Sequence, residues 1–156
     1  MKPTQDQLAA LLSEKVIPYA ERINMPYLGY YLLRETLSAK LLGESETPIL
    51  YWIGKELGEQ IPIDSATGLI IPFIRLGLGK LEVRREADKQ WVFVLTHSIF
   101  DYIAAERLGQ QLSFECGLIA GAITRWQQHE AAASLELYPA APGKKAEVHI
   151  TVQLEQ

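Results

Sequence analysis

The chain has 156 residues, a hydrophobic fraction of 48% and a formal net charge of -4. This length and apolar content are typical of one globular domain with a substantial core, and they argue against a disordered chain. The acidic balance argues against a nucleic-acid partner, and the single cysteine excludes an intramolecular disulfide.

Residues 1–26 are predicted to form an N-terminal helix followed by a linker. Thr4 and Gln7 have the spacing of a capping box at the start of that helix. Pro18 is expected to end it, because proline lacks the backbone N–H that a helix interior needs. The rest of the chain, residues 27–156, is then predicted to be a single domain.

No run of the sequence is long and apolar enough to predict a membrane span. The most apolar run, residues 68–79, contains a proline and an arginine and is far shorter than the roughly 20 residues required. The N-terminus lacks the apolar core of a signal peptide. We therefore expect a cytoplasmic protein.

Two helices are predicted at the start of this domain. The first covers residues 27–42 and ends at Gly43, a good C-terminal cap. Apolar residues surround much of this helix, which indicates that it is buried on more than one side. The second helix runs from Glu46 to about Gln60, with Pro48 in its first turn.

A β-hairpin and two further helices follow. Apolar and polar residues alternate in 80–85, and an apolar run, residues 91–95, follows on the other side of a short turn. Ser98 is expected to cap a short helix, and Ser113 is expected to cap a longer one that continues to about Glu130.

A second hairpin ends the chain. Its strands begin near Leu135 and Val148, and its loop contains Pro139 and Gly143. Helices and hairpins in this order predict an α+β fold with a four-stranded antiparallel sheet. One face of this sheet is expected to carry the helices and the other to be wetter.

Four helix glycines stand in two pairs, each four residues apart: Gly54 with Gly58, and Gly117 with Gly121. Glycine costs a helix interior about 1 kcal/mol relative to alanine. Because the spacing places each pair on one helix face, we expect another backbone to pass very close to it.

Four strings of the sequence carry a resemblance to a known group. They are Gly29-Tyr30-Tyr31-Leu32-Leu33-Arg34-Glu35, Ile49-Leu50-Tyr51-Trp52-Ile53-Gly54-Lys55-Glu56-Leu57, Gly77-Leu78-Gly79-Lys80-Leu81 and Cys116-Gly117-Leu118-Ile119-Ala120-Gly121. From about residue 27 onward the chain resembles the YslB-like family of small uncharacterised Gram-positive proteins. That family in turn resembles the TRAPP-subunit and 4-vinyl-reductase-type domains.

The resemblance implies a TRAPP-subunit-like domain that is often dimeric and that encloses a hydrophobic cavity in some relatives. TRAPP subunits hold an acyl chain on a cysteine upstream of the matching helix. This chain has no cysteine there, and Cys116 matches a different position, so the resemblance implies no covalent ligand. It also implies no cofactor and no catalytic residue.

The reactive side chains form no recognisable catalytic or metal-binding set. His97, His129, His149 and Cys116 have no pair at metal-ligand spacing, so no metal is expected. His97 and Ser98 are adjacent, but the serine already has a predicted role as a helix cap. A cysteine on an apolar helix is usually a buried and inert residue.

Aromatic residues on the helices favour an apolar binding cavity, although such residues can also simply form the core. We expect the cavity between the sheet and the first two helices of the domain, near Tyr31, Tyr51, Trp52 and Cys116. The predicted function is non-covalent binding of a hydrophobic small molecule or lipid by a homodimer that assembles largely through helices. Two alternatives stay open, an enzyme that acts on a hydrophobic molecule in this cavity and an interaction module without a ligand.

Overall fold

The computed structural model of the protein describes residues 5–156. Its helices are α1 (Ile17–Ala20), α2 (Tyr27–Leu32), α3 (Ser38–Leu42), α4 (Glu46–Gly58), α5 (Ile70–Arg75), α6 (Ala105–Gln111) and α7 (Ser113–Gln127). Its strands are β1 (Lys80–Ala87), β2 (Gln90–Thr96), β3 (Ala131–Tyr138) and β4 (Glu147–Leu154). Short 3-10 turns cover Gly43–Ser45, Ala66–Leu69 and Ser98–Tyr102.

The four strands form one antiparallel sheet in the order β1-β2-β4-β3. In β4, Val148, Ile150 and Val152 are fully buried, and the residues between them are only partly buried. This alternation places the apolar residues of the sheet against the helices, chiefly α7. The predicted α+β fold, with two hairpins in one antiparallel sheet and helices on one face, is confirmed.

Helices α4 and α7 are in backbone contact along the face that carries the four helix glycines. An ideal Cβ at any of these glycines would overlap a carbonyl oxygen of the facing helix. The overlaps pair Gly54 with Phe114, Gly58 with Leu118, Gly117 with Tyr51 and Gly121 with Lys55. Glycine is therefore the residue that this helix spacing requires at these positions.

The N-terminal segment differs from the predicted helix. Thr4 lies outside the described residues, and the chain from Gln7 onward forms hydrogen-bonded turns before the one-turn helix α1. Pro18 lies in the first turn of α1, where its missing N–H is tolerated, and it does not end a longer helix. Asp6 fixes the start of these turns, because its carboxylate accepts the Leu8 N–H.

The two predicted serine caps are also different. His97 caps the turn that begins at Ser98, and its Nδ1 accepts the Ile99 N–H at 3.1 Å. Ser113 is the first residue of α7, and its hydroxyl donates to the Gln110 carbonyl at 2.6 Å. Because α6 runs almost directly into α7, there is no free helix start for Ser113 to cap.

Residues 27–42 form one continuous helix in which a π turn, Leu33–Leu37, joins α2 to α3. We call this segment the leucine helix. Its extent matches the prediction, but the prediction that it is buried on several sides is wrong. Five of its leucines are between 47% and 75% exposed, namely Leu28, Leu32, Leu33, Leu37 and Leu41.

The leucine helix is attached to the domain through polar side chains. Arg34 donates to the Glu115 carboxylate at 2.7 Å and to the Gln111 carbonyl at 2.9 Å. Its other terminal nitrogen donates to the Tyr30 hydroxyl at 2.8 Å. Since Glu115 is almost fully buried on α7, this ion pair fixes the leucine helix against the central helix of the fold.

Arg107 of α6 makes a second attachment. Its guanidinium bonds the carboxylates of Glu35, at 2.9 Å, and Glu46, at 3.0 Å. It also donates to the Glu35 carbonyl at 3.1 Å, within the π turn. Because the two arginines hold the polar side of the leucine helix inward, its leucines face outward.

The helix contact predicts opposite effects of alanine at two glycines. Gly121→Ala should lower the free energy of unfolding by about 1–3 kcal/mol, because the new methyl group would overlap the Lys55 carbonyl. Gly29→Ala should raise it by about 0.5–1 kcal/mol, because Gly29 is helical and a methyl group there would meet no other atom within 4 Å. Urea denaturation of both variants measures the difference, and equal midpoints would contradict the close contact.

The Arg34–Glu115 pair predicts a pH-dependent stability. Arg34→Met should cost about 3–5 kcal/mol near pH 7, because it leaves a buried carboxylate without its partner. Burial already raises the pKa of Glu115 above its ordinary value, and Arg34 opposes that rise. A carboxyl whose pKa is higher in the folded state binds its proton there first, so the variant should regain stability as the pH falls from neutral toward the ordinary pKa of a glutamate.

The control for this test is the double variant Arg34→Met/Glu115→Gln, which lacks the titrating group. Denaturation curves at several pH values should show that the free energy of unfolding rises at acidic pH in the single variant only. The same pH dependence in both variants would contradict the assignment to Glu115.

Candidate functional site

An open groove lies between α4, the junction of α6 with α7, and strand β3. We call it the α4–β3 groove, and its volume is about 400 Å³. It is lined by Thr47, Pro48, Tyr51, Trp52, Gly109, Ser113, Cys116, Ala133, Ser134 and Leu135. Helical spacing explains the α4 wall, since residues 47, 48, 51 and 52 fall on one face of the helix.

An aromatic pair forms the outer wall of the groove. The rings of Tyr51 and Trp52 meet edge to face, with centroids 5.7 Å apart. The Tyr51 hydroxyl accepts the Ala133 N–H at 3.1 Å and so fixes α4 beside β3. Trp52 is 63% exposed, and the Lys55 ammonium lies 5.4 Å from its ring centroid. A large aromatic surface is therefore held open to solvent.

Cys116 lies in the floor of the groove as a buried thiol. Burial raises the pKa of Cys116 far above its ordinary value, and the charge of Glu115 raises it further. Since the thiolate is the nucleophilic form of cysteine, this thiol is poorly suited to covalent chemistry. Its contribution to the groove is a small apolar surface.

Three of the four residues predicted for the cavity meet in this groove, namely Tyr51, Trp52 and Cys116. Tyr31 lies elsewhere, on the leucine helix, with its ring 6.5 Å from that of Tyr27. The leucine helix supplies no wall of the groove, and the edge strand β3 takes that place. Sequence reasoning missed the β3 residues because their proximity to α4 depends on long-range packing.

His97 belongs to a different and much smaller cavity. This partly open space, of about 20 Å³, lies under the leucine helix and is lined by Tyr27, Arg34 and Glu115 among others. Burial lowers the pKa of His97, so the neutral imidazole is favoured. The space holds about one water molecule. His97 and Cys116 therefore do not share a site that could accept a substrate.

Residues 5–156 contain no group of three or more His, Cys, Asp or Glu side chains arranged to hold a metal ion. Within the same range, none of the helices combines the length and apolar character needed to cross a membrane.

The fold is similar to that of a vinyl-4-reductase family protein from Methanocaldococcus jannaschii, known from a crystal structure. The two chains superpose with a TM-score of 0.60 over 99% of each, at 21% sequence identity. The predicted likeness to 4-vinyl-reductase-type domains is thus confirmed at the level of the fold. No curated protein matches the sequence.

A family model matches residues 27–153, from the first residue of the leucine helix into the last strand, β4. This match covers most of the chain. The chain therefore belongs to the family described as a protein of unknown function, DUF2507.

Proposed function

We propose that this domain binds an apolar small molecule, without a covalent bond, in the α4–β3 groove. The observation that carries the proposal is the mostly apolar lining of the groove, in which Tyr51 and Trp52 stand above the buried Cys116 thiol. Ligand sites in proteins typically have volumes of roughly 300–1,000 Å³ and mostly apolar walls. A groove of about 400 Å³ with this lining falls within that range.

An enzyme that acts on a hydrophobic molecule is the alternative that receives less support. Such an enzyme needs a reactive group beside its substrate. The raised pKa of Cys116 keeps its thiol protonated, and His97 lines the separate small cavity under the leucine helix. The proposed domain therefore binds and releases its ligand unchanged.

The test of ligand binding is a thermal-shift panel of fatty acids and small aromatic compounds. A member at one hundred times its Kd should stabilise the protein by about 2.7 kcal/mol. Trp52→Ala should abolish the shift, because it removes half of the aromatic wall. Tyr102→Ala is the matched control, since Tyr102 is an exposed aromatic residue outside the groove lining, and it should keep the shift.

Two outcomes would contradict ligand binding in the α4–β3 groove. One is a panel in which no member shifts the unfolding temperature. The other is an equal loss of the shift in the Trp52 and Tyr102 variants.

We further propose that the domain is a homodimer in which a second copy covers the leucine helix. The supporting observation is the orientation of this helix, whose leucines face solvent while Arg34 and Glu35 face the domain. A helix of 16 residues is about 24 Å long, so the exposed stripe is large. Apolar patches of this kind mark interaction surfaces, and twofold dimers are the commonest oligomers.

A lipid surface fits the same stripe less well. Helices that bind at a membrane surface usually carry several lysines and arginines beside their apolar face. The leucine helix has only Arg34 and Lys40, and Arg34 is engaged with Glu115. A second copy of this chain is therefore the better partner for the leucines.

Sedimentation equilibrium at micromolar concentration tests the dimer. The wild-type protein should sediment as a dimer, and Leu32→Glu/Leu41→Glu should sediment as a monomer, because it places charges in the interface. Ile71→Glu is the control, since Ile71 on α5 is as exposed as Leu32, at 57%. A monomeric wild-type protein would contradict the proposal, as would a control that dissociates like the double variant.

A further inference from the structure

Strand β3 is one edge of the sheet, and its hydrogen bonds alternate between two sides. On the inner side, the Glu130 carbonyl just before the strand accepts the Glu155 N–H at 2.8 Å. On the outer side, the N–H groups of Ala131 and Ala133 donate to side chains of the helices rather than to β4. The main-chain N–H and C=O groups of even-numbered residues therefore point toward β4, and those of odd-numbered residues point away from it.

This alternation turns the main-chain groups of Leu135 and Leu137 outward. Each presents one N–H and one C=O to the free side of the strand. Within residues 5–156, these groups have no hydrogen-bond partner on that side. The first half of the edge is thus covered by helix side chains, and the second half is free.

The other edge of the same sheet is protected in a familiar way. In β1 the register shifts between Val83 and Arg85, and Lys80, Glu82 and Arg84 add charges along the strand. Bulges and charges of this kind prevent pairing with another strand. In β3 the register runs without a shift from Ala131 to Tyr138, and Glu136 is the one charged residue of the strand.

The free part of this edge adjoins the α4–β3 groove, which Leu135 also lines. An added strand would pair its main chain with Leu135 and Leu137. Its side chains would point alternately to the helix side, where the groove is apolar, and to the outer side, where Glu136 is exposed. The complementary segment is therefore apolar at every second residue and basic in between.

We propose that the free edge of β3, at Leu135 and Leu137, docks an extended peptide segment that alternates apolar and basic residues. The segment adds a fifth strand to the sheet and inserts an apolar side chain into the α4–β3 groove. The inference rests on the proposed function, because it names a peptide as the apolar ligand of that groove. The acidic balance of the chain, with its net charge of -4, favours a basic segment over a second copy of β3.

The test uses a blocked hexapeptide of alternating valine and lysine and measures binding by fluorescence anisotropy. Leu137→Pro and Leu137→Ala form a matched pair, because both remove the leucine side chain but only proline removes the outward N–H. An edge strand tolerates proline where its N–H faces solvent. Leu137→Ala should keep the affinity within about threefold, and Leu137→Pro should lower it about tenfold or more.

Amide hydrogen exchange locates the peptide. The bound peptide should slow exchange at Leu135 and Leu137, and a peptide N-methylated on the pairing amides should neither bind nor protect them. Equal affinities of the two Leu137 variants, or binding that leaves these amides unprotected, would overturn the inference. So would protection of both amides in the free protein that grows with protein concentration, because a second copy would then occupy the edge.

The apolar panel separates this inference from the proposed function. If the Leu137→Pro variant no longer binds the peptide but still binds a fatty acid or small aromatic compound, the peptide inference and the proposed function are both supported. If small apolar compounds bind the wild-type protein and the peptide does not, the peptide inference falls and the groove remains a ligand site. If neither the peptide nor any small apolar compound binds, the peptide inference and the proposed function are both wrong.

Discussion

The backbone contact between α4 and α7 is the constraint on which the groove depends. The carbonyl oxygen of Tyr51 lies against Gly117, and the hydroxyl of the same tyrosine reaches the Ala133 N–H on β3. A larger residue at position 117 would push α4 away from α7 and would pull Tyr51 from the strand. The distance between two helices thus sets the position of the aromatic wall.

The first hairpin was predicted well because its information is local. The alternation in β1, the apolar run of β2 and the turn between them define the pair, and both strands begin within one residue of the predicted starts. In the second hairpin, β4 also begins within one residue of its predicted start, but β3 begins at Ala131, four residues before the predicted Leu135. The strand order β1-β2-β4-β3 is not local, since it joins β2 to a strand that begins 51 residues after β2 ends. No pattern in either strand specifies that neighbour, and the β3 side of the groove was missed for the same reason.

The leucine helix shows where apolar patterning misleads. Its leucines indicated burial, and a pattern of this kind does not say which molecule covers an apolar face. The orientation was decided by Arg34, whose carboxylate partner Glu115 lies 81 residues further along the chain. An ion pair of such long range leaves no signature in the local sequence, so the outward turn of the leucines could not be predicted.

The groove and the leucine helix are both supported by α7, and Arg107 of α6 also bridges Glu35 of the leucine helix to Glu46 of α4. Glu115 and Cys116 are neighbours on α7, and the first holds Arg34 of the leucine helix while the second lies in the floor of the groove. Neither surface contributes a residue to the other. Loss of a dimer would therefore leave the groove walls intact, and an empty groove would leave the leucines exposed. The proposed ligand binding and the proposed assembly would depend on different side chains, although both surfaces rest on one buried helix.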